Sequence, residues 1–308
     1  MKSASTFIDL SLQQLISFQL VCRLGSYAAA ARELYLTTPA VWEQIRLLER
    51  YFGAKLFERS GNGVKPTRSG EQLLRIVSPT LTSLESARAL LQQASGASPE
   101  KLTLATNLRV FAAEISSAIR DFQTRYANCK IDLRFTGGEE IAQLVDSRDA
   151  DVVLTLDPIL SHPLNSTSIV YSPIANVDFL LVAPKNHPLL RKRVLQFKAL
   201  RDYPLVLGNS STFSRARVEE VFRRYGIYKD IRIGVETNSD EYTIQCVRAN
   251  AGVGITMGTP KSNIFEGLAV RQLRRWFGQA DMGFLSKRGA QPIEVQKELM
   301  ELLRGKLS

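Results

Sequence analysis

Cysteine and histidine are scarce in this chain, whose 308 residues include three cysteines and two histidines. Cys22, Cys129 and Cys246 are odd in number and far apart, so we expect no disulfide framework and no paired-cysteine metal site. His162 and His187 each precede a proline, a loop setting with neither metal-ligand spacing nor an evident base partner. These absences predict a protein without a metal, without a cofactor and without histidine-based catalysis.

Long apolar runs are lacking too. No stretch approaches the roughly 20 apolar residues of a membrane span. Residues 1–9 lack a basic segment followed by an apolar run, so we expect no secretory signal and a cytoplasmic protein without membrane attachment. The hydrophobic content of 44% is ample for packed cores, and the length suggests two or three domains.

The formal net charge of +10 favours a polyanionic partner, although the charge is not concentrated in one part of the chain. Residues 1–98 contain 11 Lys and Arg and 7 Asp and Glu, a net of +4, which leaves +6 for residues 99–308. Charge alone is therefore weak evidence for DNA binding.

Residues 10–70 contain three short helical patterns followed by a turn-rich segment, which is typical of a winged helix-turn-helix. The first helix should bury one apolar stripe and stop at Gly25. Ser26 can cap a second, alanine-rich helix, and Thr37 and Thr38 can cap a third that opens with Pro39. The first stripe comprises Leu12, Leu15, Ile16, Phe18, Val21 and Cys22.

The third helix should be the recognition helix. Its apolar residues Val41, Ile45, Leu48 and Phe52 share one face, which directs the side chains between them outward, where they can meet base edges in the major groove. Glycines and polar residues between Arg59 and Thr67 predict a two-stranded wing with cations for phosphates. The candidate DNA-binding residues are Ser26, Thr37, Thr38, Pro39, Trp42, Glu43, Arg46, Arg59, Lys65, Thr67 and Arg68.

A long amphipathic helix is predicted from Ser69 to Ser95, with Pro79 at a kink or an exposed turn. Its apolar stripe needs a partner, and the same helix of a second chain is the economical one. Packing on its own domain is the alternative. The stripe comprises Leu73, Leu74, Ile76, Val77, Leu81, Leu84, Ala87, Leu90 and Leu91.

After the small and helix-breaking residues 95–99, apolar runs alternate with helical patterns, which predicts an α/β fold with parallel crossovers. Two sets of strands indicate two lobes. The first set is expected at residues 102–105, 131–135 and 151–156, and the second at 179–183, 205–207, 231–235 and 252–255.

Residues 10–70, called the head below, resemble the LysR-type transcriptional regulators in four motifs. These are Gly25-Ser26-Tyr27, Ala30-Ala31, the run from Thr37 to Val41, and the run from Leu56 to Arg59. The chain departs from the family at Trp42 and Glu43, where a small hydroxyl residue and a basic residue are common, so no operator sequence can be transferred. The resemblance implies a winged helix-turn-helix (1–68), a linker or dimerisation helix with a hinge (69–98) and an effector-binding domain (99–308).

That effector domain would be similar to periplasmic binding proteins, with lobe I at about 99–170 and 270–308 and lobe II at about 171–269. The crossing strands are expected near residues 169–172 and 269–273. In such sheets a ligand lies outside the carboxyl ends of the strands, where hydroxyls and N–H groups are free. The candidate effector-binding residues are Thr106, Asn107, Arg109, Thr136, Gly137, Thr155, Asn209, Ser210, Ser211 and Thr212.

Each of these polar residues could instead simply cap a helix, but their concentration at several strand ends favours a site. Arg109, Arg134 and Arg215 near these ends slightly favour an anionic effector. The implied function is sequence-specific binding of double-stranded DNA under control of a small molecule. The resemblance also implies a homodimer or homotetramer, bending of the DNA and contact with RNA polymerase.

Two alternatives stay open, a solute-binding protein without DNA contact and an α/β enzyme. The paired carboxylates Glu139–Glu140 diverge on a helix, and Asp149 and Asp151 flank the start of a strand. The glycines of residues 252–258 have the wrong spacing for dinucleotide binding and follow a helix. We therefore expect that the protein is not an enzyme.

Overall fold

The computed structural model describes residues 10–94, 99–108, 111–136, 138–147, 149–156, 169–191, 193–210 and 212–307. The chain forms two compact units, one of Met1–Ser95 with Lys287–Pro292 and one of Gly96–Ser286 with Ile293–Ser308. Within the described ranges, no helix has the length and apolar content to span a lipid bilayer.

The first unit is a winged helix-turn-helix followed by a long helix. Ser11 caps the first helix in a capping box with Gln14, and Ser26 and Thr37 cap the second and third. Gly25 and Gly53 end the first and third helices in the left-handed conformation, with φ of 63° and 64°. The elements are α1 (Leu12–Leu24), α2 (Tyr27–Glu33), α3 (Thr38–Phe52), β1 (Phe57–Ser60), β2 (Gly63–Pro66) and α4 (Arg68–Ala94).

The core of this head differs from the predicted stripes at two helix ends. Leu12 begins α1 and Phe52 ends α3, so neighbouring helices do not cover them, and they are 50% and 42% exposed. Their predicted burial was wrong, and Leu20 of α1 is buried instead. The core comprises Phe18, Leu20, Val21, Ala30, Ala31, Val41, Ile45, Leu48, Leu56 and Phe57, with three residues of α4.

Helix α4 buries only part of its predicted apolar stripe. Leu73, Val77 and Leu81 are buried in the core of the head, as the alternative to chain pairing had it. A second set, Ile76, Leu84 and Leu91, is exposed at 66%, 54% and 71%. Pro79 lies inside the helix, and the Ser83 hydroxyl is 3.0 Å from its carbonyl oxygen. The returning segment Lys287–Pro292 packs here, since Ser83 Oγ also lies 2.8 Å from the Gly289 carbonyl oxygen.

The second unit is built on one mixed sheet between helices. Its first half contains β3 (Lys101–Thr106), α5 (Ala112–Arg125), β4 (Lys130–Phe135), α6 (Gly138–Ser147), β5 (Val152–Leu156) and β6 (Ile169–Pro184). Its second half contains α7 (Pro188–Arg191), β7 (Leu205–Gly208), α8 (Phe213–Arg224), β8 (Ile233–Thr237), α9 (Asp240–Arg248), β9 (Val253–Gly258), β10 (Leu268–Gln272), α10 (Arg274–Phe277), β11 (Gln279–Lys287) and α11 (Glu294–Leu307).

The sheet order is β4-β3-β5-β11-β6-β9-β7-β8, with β10 paired to β6. Strand β3 runs parallel to β4 and β5, and β7 runs parallel to β8 and β9, which gives the two predicted α/β lobes. Strand β6 passes from one lobe to the other and begins at Ile169, where the first crossing was expected.

The second crossing was predicted near residues 269–273, and the structure shows that this was wrong. Those residues form β10, which pairs with Leu180–Pro184 in the second lobe. The return to the first lobe is made by β11, whose residues Met282–Leu285 pair with β5. The sequence analysis also missed α11, which packs against α5 and buries Leu299 and Leu303.

Candidate DNA-binding and effector sites

The amino end of α3 is exposed, as the predicted recognition surface requires. The Ala40 N–H donates to Thr37 Oγ1 at 3.3 Å, and Pro39 lies in the first turn, where its missing N–H leaves no bond unmade. Thr38, Pro39 and Arg46 are exposed, and Trp42 is 51% exposed. These side chains are therefore available to a partner of the head.

Glu43 and Arg46 contact each other, which the sequence analysis did not foresee. Arg46 Nε lies 2.9 Å from Glu43 Oε2, and the Arg46 terminal nitrogen lies 2.9 Å from Glu43 Oε1, so the pair is bidentate. The hydrogen bond to Glu43 raises the pKa of Arg46 above its usual range. The guanidinium carbon also lies 5.5 Å from the centroid of the Trp42 ring. Three candidate DNA-binding residues thus form one cluster.

Two further candidates serve the fold through their hydroxyls. Ser26 Oγ accepts from the Ala29 N–H at 3.3 Å and so caps α2. Thr67 Oγ1 donates to the Lys55 carbonyl at 2.7 Å and accepts from the Gly70 N–H at 3.1 Å. Thr67 thereby joins the start of α4 to the turn that follows α3.

The wing is the antiparallel hairpin of β1 and β2, in which Glu58 pairs with Lys65 across the strands. Lys65 Nζ lies 3.0 Å from Glu58 Oε1, so this lysine is already ion-paired. Arg59 and Arg68 are exposed on the wing and at the start of α4. The hairpin is attached to the head by the Val64 N–H, which donates to the Gly25 carbonyl at 2.9 Å.

Sequence analysis missed Tyr35, which lies in the turn between α2 and α3. Its side chain is 96% exposed, and its φ of 55° is rare for a residue with a side chain. A large aromatic residue beside the cap of a recognition helix was the available signal. Its position extends the exposed surface at the amino end of α3.

In the first lobe, the predicted effector residues come together because β3 lies between β4 and β5. The Thr136 N–H donates to the Thr106 carbonyl at 3.1 Å, and Thr106 and Thr155 are buried. Thr106 Oγ1 accepts from the Leu108 N–H at 3.1 Å, so this hydroxyl caps a turn. Asn107 Oδ1 is buried and has no hydrogen-bond partner among the described residues. Arg109 and Gly137 lie outside the described residues.

In the second lobe, the turn after β7 carries the remaining candidates. The Asn209 N–H donates to the Thr237 carbonyl at 2.6 Å, and Thr212 Oγ1 donates to the Asn209 carbonyl at 2.8 Å. Ser210 is exposed, and Ser211 lies outside the described residues. Thr212, the residue before α8, thus braces the turn.

The structure adds polar residues after β8 that sequence analysis did not name. Thr237 Oγ1 donates to the Ser239 carbonyl at 3.0 Å, while Ser239 Oγ is buried and finds no partner in the part of the chain that the structure describes. Burial raises the pKa of Asp240 above its ordinary value, against the opposing effect of the Thr256 hydroxyl, which donates to it at 2.5 Å. These residues could have been predicted, because β7 and β8 are adjacent parallel strands and their carboxyl ends lie at the same edge of the sheet.

Two of the three arginines that suggested an anionic effector, Arg134 and Arg215, are engaged elsewhere. Arg134 binds Asp132 at 3.0 Å, and Arg215 binds Glu219 at 2.8 Å and Glu236 at 2.6 Å. A guanidinium in such pairs is largely neutralised, so these two residues no longer support an anion. The described part of this unit instead offers buried oxygens without a hydrogen-bond partner there, and Glu114 Oε2 is one of them. The other oxygen of the same carboxylate, Oε1, accepts from the Ser262 hydroxyl at 3.0 Å.

A winged helix-turn-helix joined to a two-lobed α/β domain with polar strand ends defines the class of DNA-binding regulators that carry a ligand domain. Comparison with protein families agrees. Residues 12–71 match the bacterial regulatory helix-turn-helix protein of the lysR family, and residues 99–308 match the LysR substrate binding domain. The chain belongs to the LysR family of transcriptional regulators.

Several similar proteins are named as transcriptional regulators. The RuBisCO operon transcriptional regulator of Allochromatium vinosum is 29% identical over 250 residues, covering 80% of this chain and 80% of that protein. The HTH-type transcriptional regulator CbbR of Xanthobacter flavus is 29% identical over 306 residues, covering 91% and 88%. The structure of full-length CbnR in complex with its target DNA has the same fold, with a TM-score of 0.53, 19% identity and coverage of 97% and 100%.

Proposed function

We propose that this LysR-type regulator binds its operator through the amino end of α3, which enters the major groove, and through the wing, which contacts phosphates. The observation that carries the proposal is the exposed surface of Thr38, Trp42 and Arg46, placed opposite the buried face of the helix. Arg59 and Arg68 supply exposed guanidinium groups for the DNA backbone. Ser26, Thr37, Pro39, Glu43, Lys65 and Thr67 complete the proposed interface.

The test is the salt dependence of binding to a duplex selected from a random library, measured by fluorescence anisotropy with the full chain. Arg59→Ala and Arg68→Ala should each weaken binding to all duplexes and reduce the slope of log affinity against log salt by about 1. Arg224→Ala removes an exposed arginine from α8 and serves as the matched control. Unchanged slopes in both head variants would refute the backbone contacts.

The effector would bind at the strand ends of the two lobes. We assign Thr106, Asn107, Thr136 and Thr155 to one side and Asn209, Ser210 and Thr212 to the other. The unpaired Asn107 Oδ1 and Ser239 Oγ support this, because buried oxygens without partners are costly unless a ligand or water satisfies them. Such groups favour an effector that donates hydrogen bonds.

A thermal-shift screen of small metabolites on the full chain tests this assignment. Asn107→Ala removes an unpaired oxygen, so it should cost the fold little and abolish the shift produced by the true effector. Asn263→Ala, at an exposed position, is the control. A metabolite that shifts the wild type and the Asn107 variant equally would place the effector elsewhere.

We further propose that the exposed part of the apolar stripe of α4, formed by Ile76, Leu84 and Leu91, pairs two chains in the cytoplasm. Effector domains would join such dimers into a tetramer, and a change of head angle would alter DNA bending and contact with RNA polymerase. Light scattering on a Leu84→Lys and Leu91→Lys variant should report a smaller assembly. An unaltered mass would exclude pairing through this face.

A further inference from the structure

The cluster of Trp42, Glu43 and Arg46 lies at the centre of the outward face of α3. A helix turns about 100° per residue, so Glu43 lies nearly opposite the buried residues Val41 and Ile45, and Arg46 lies beside Glu43 on the same outward side. The side chains of Glu43 and Arg46 are 43% and 48% exposed. A groove-bound helix would present this cluster to base edges before any other pair of charged side chains.

A carboxylate in this position opposes binding unless it meets a hydrogen-bond donor. Phosphates repel Glu43, and in the major groove the donors are the amino groups of cytosine and adenine. A carboxylate accepts from cytosine N4, whereas an arginine donates in bidentate fashion to guanine O6 and N7. One guanine–cytosine pair offers both partners on the same edge.

The folded head gains little from the ion pair itself. Exposed pairs three residues apart on a helix contribute only marginally to stability, so the fold does not require Glu43 or Arg46. Their bidentate contact, with Trp42 beside the guanidinium, does restrict the directions in which Arg46 can point. The cluster is thus ordered before DNA arrives, which lowers the entropy cost of binding.

We propose that Glu43 and Arg46 together read one guanine–cytosine base pair in each half of the operator, with Arg46 on the guanine and Glu43 on the cytosine amino group. Trp42 holds the guanidinium in position from the side. The inference rests on the proposed placement of α3 in the major groove. It names Glu43 as a residue that determines specificity, although its charge weakens binding to DNA in general.

The experiment is selection from a randomised duplex library by the full chain, followed by competition binding on the enriched sequence. The wild type should enrich a guanine–cytosine pair at one position of each half-site and lose about 5- to 150-fold in affinity when that pair becomes adenine–thymine. Glu43→Gln should shift the enrichment towards adenine, which a glutamine side chain reads, and should raise affinity for random DNA. Arg46→Ala should lose the preference for guanine.

The ion pair of Arg23 and Glu33 supplies the matched control, since both side chains are exposed in the same head and belong to α1 and α2 rather than to α3. Glu33→Gln should leave the enriched sequence unchanged. Identical sequences enriched by the wild type and by Glu43→Gln would overturn the inference while leaving operator binding intact. If the wild type enriched nothing, the proposed operator binding itself would fail, and the base contact with it.

Discussion

Replacing Leu81 with alanine tests whether α4 is part of the hydrophobic core of the head. Leu81 is 5% exposed and lies in one cluster with Phe18 and Val41, although it is more than 25 residues away from either in sequence. Leu84, one turn further on the same helix, is 54% exposed. The two leucines therefore offer the same chemical change in two different environments.

The expected cost of Leu81→Ala is about 2–5 kcal/mol, because buried methyl groups are lost and a cavity remains. Even 2 kcal/mol should accelerate exchange of the slowest amides by about 30-fold, where exchange requires opening of the whole head. Hydrogen exchange with mass spectrometry can read peptides from α1 separately from peptides of β9, which serve as the internal reference. Only the α1 peptides should change.

Leu84→Ala should alter exchange by little at low protein concentration, since half of this side chain is already in water. If α4 of one chain pairs with α4 of another, the effect of Leu84→Ala on exchange should grow with protein concentration, whereas the effect of Leu81→Ala should not. Equal acceleration by both substitutions at the lowest concentration would refute the docking of α4 on the head through Leu73, Val77 and Leu81.

Two further predictions concern single contacts. A Cβ on Gly63 would lie 2.4 Å from the Gly25 carbonyl oxygen, so Gly63→Ala should displace the wing and lower both the melting temperature of the head and DNA affinity. Gly61→Ala meets no atom within 4 Å and should cost only about 1 kcal/mol for its left-handed φ of 55°, so equal losses in both variants would contradict the clash. Burial raises the pKa of Asp178, but bonds from Arg274 at 2.9 Å and from Gln272 at 2.5 Å outweigh it and lower the pKa overall. Asp178→Asn should therefore lower the free energy of unfolding most above about pH 4, the ordinary pKa of aspartate. The difference in urea stability between the two proteins should vanish as pH falls. A difference that did not change with pH would exclude this ion pair as its source.

Local signals in the sequence were sufficient to predict the helices of the head. The caps at Ser26 and Thr37 and the glycines at the helix ends specify where helices begin and stop, because each acts within a few residues. The environment of α4 was harder to infer. Residues with the same hydrophobicity, such as Leu81 and Leu84, become buried or exposed according to which neighbour covers them, and a stripe does not identify that neighbour.

In the effector unit, too, local patterns could be predicted from the sequence and long-range contacts could not. Alternating apolar runs located the parallel strands and hence the polar strand ends, but the choice between β10 and β11 as the return strand depends on pairing across more than 100 residues. The engagement of Arg215 depends likewise on Glu236, 21 residues away. The helix α11 did carry a readable signal, since Val295, Leu299, Leu303 and Leu307 recur every four residues.

Strand β6 runs without a break from the first lobe into the second. Its 16 residues are buried over the second lobe and exposed at Ser172 and Pro173, where the backbone of Ser172 lies against Gly283 of β11. Proline has no N–H, so Pro173 donates no backbone hydrogen bond to a neighbouring strand. A change of angle between the lobes would thus be taken up as torsion of two adjacent strands rather than as opening of a loop hinge. Such a connection resists large movements and passes small rotations to both ends of the sheet.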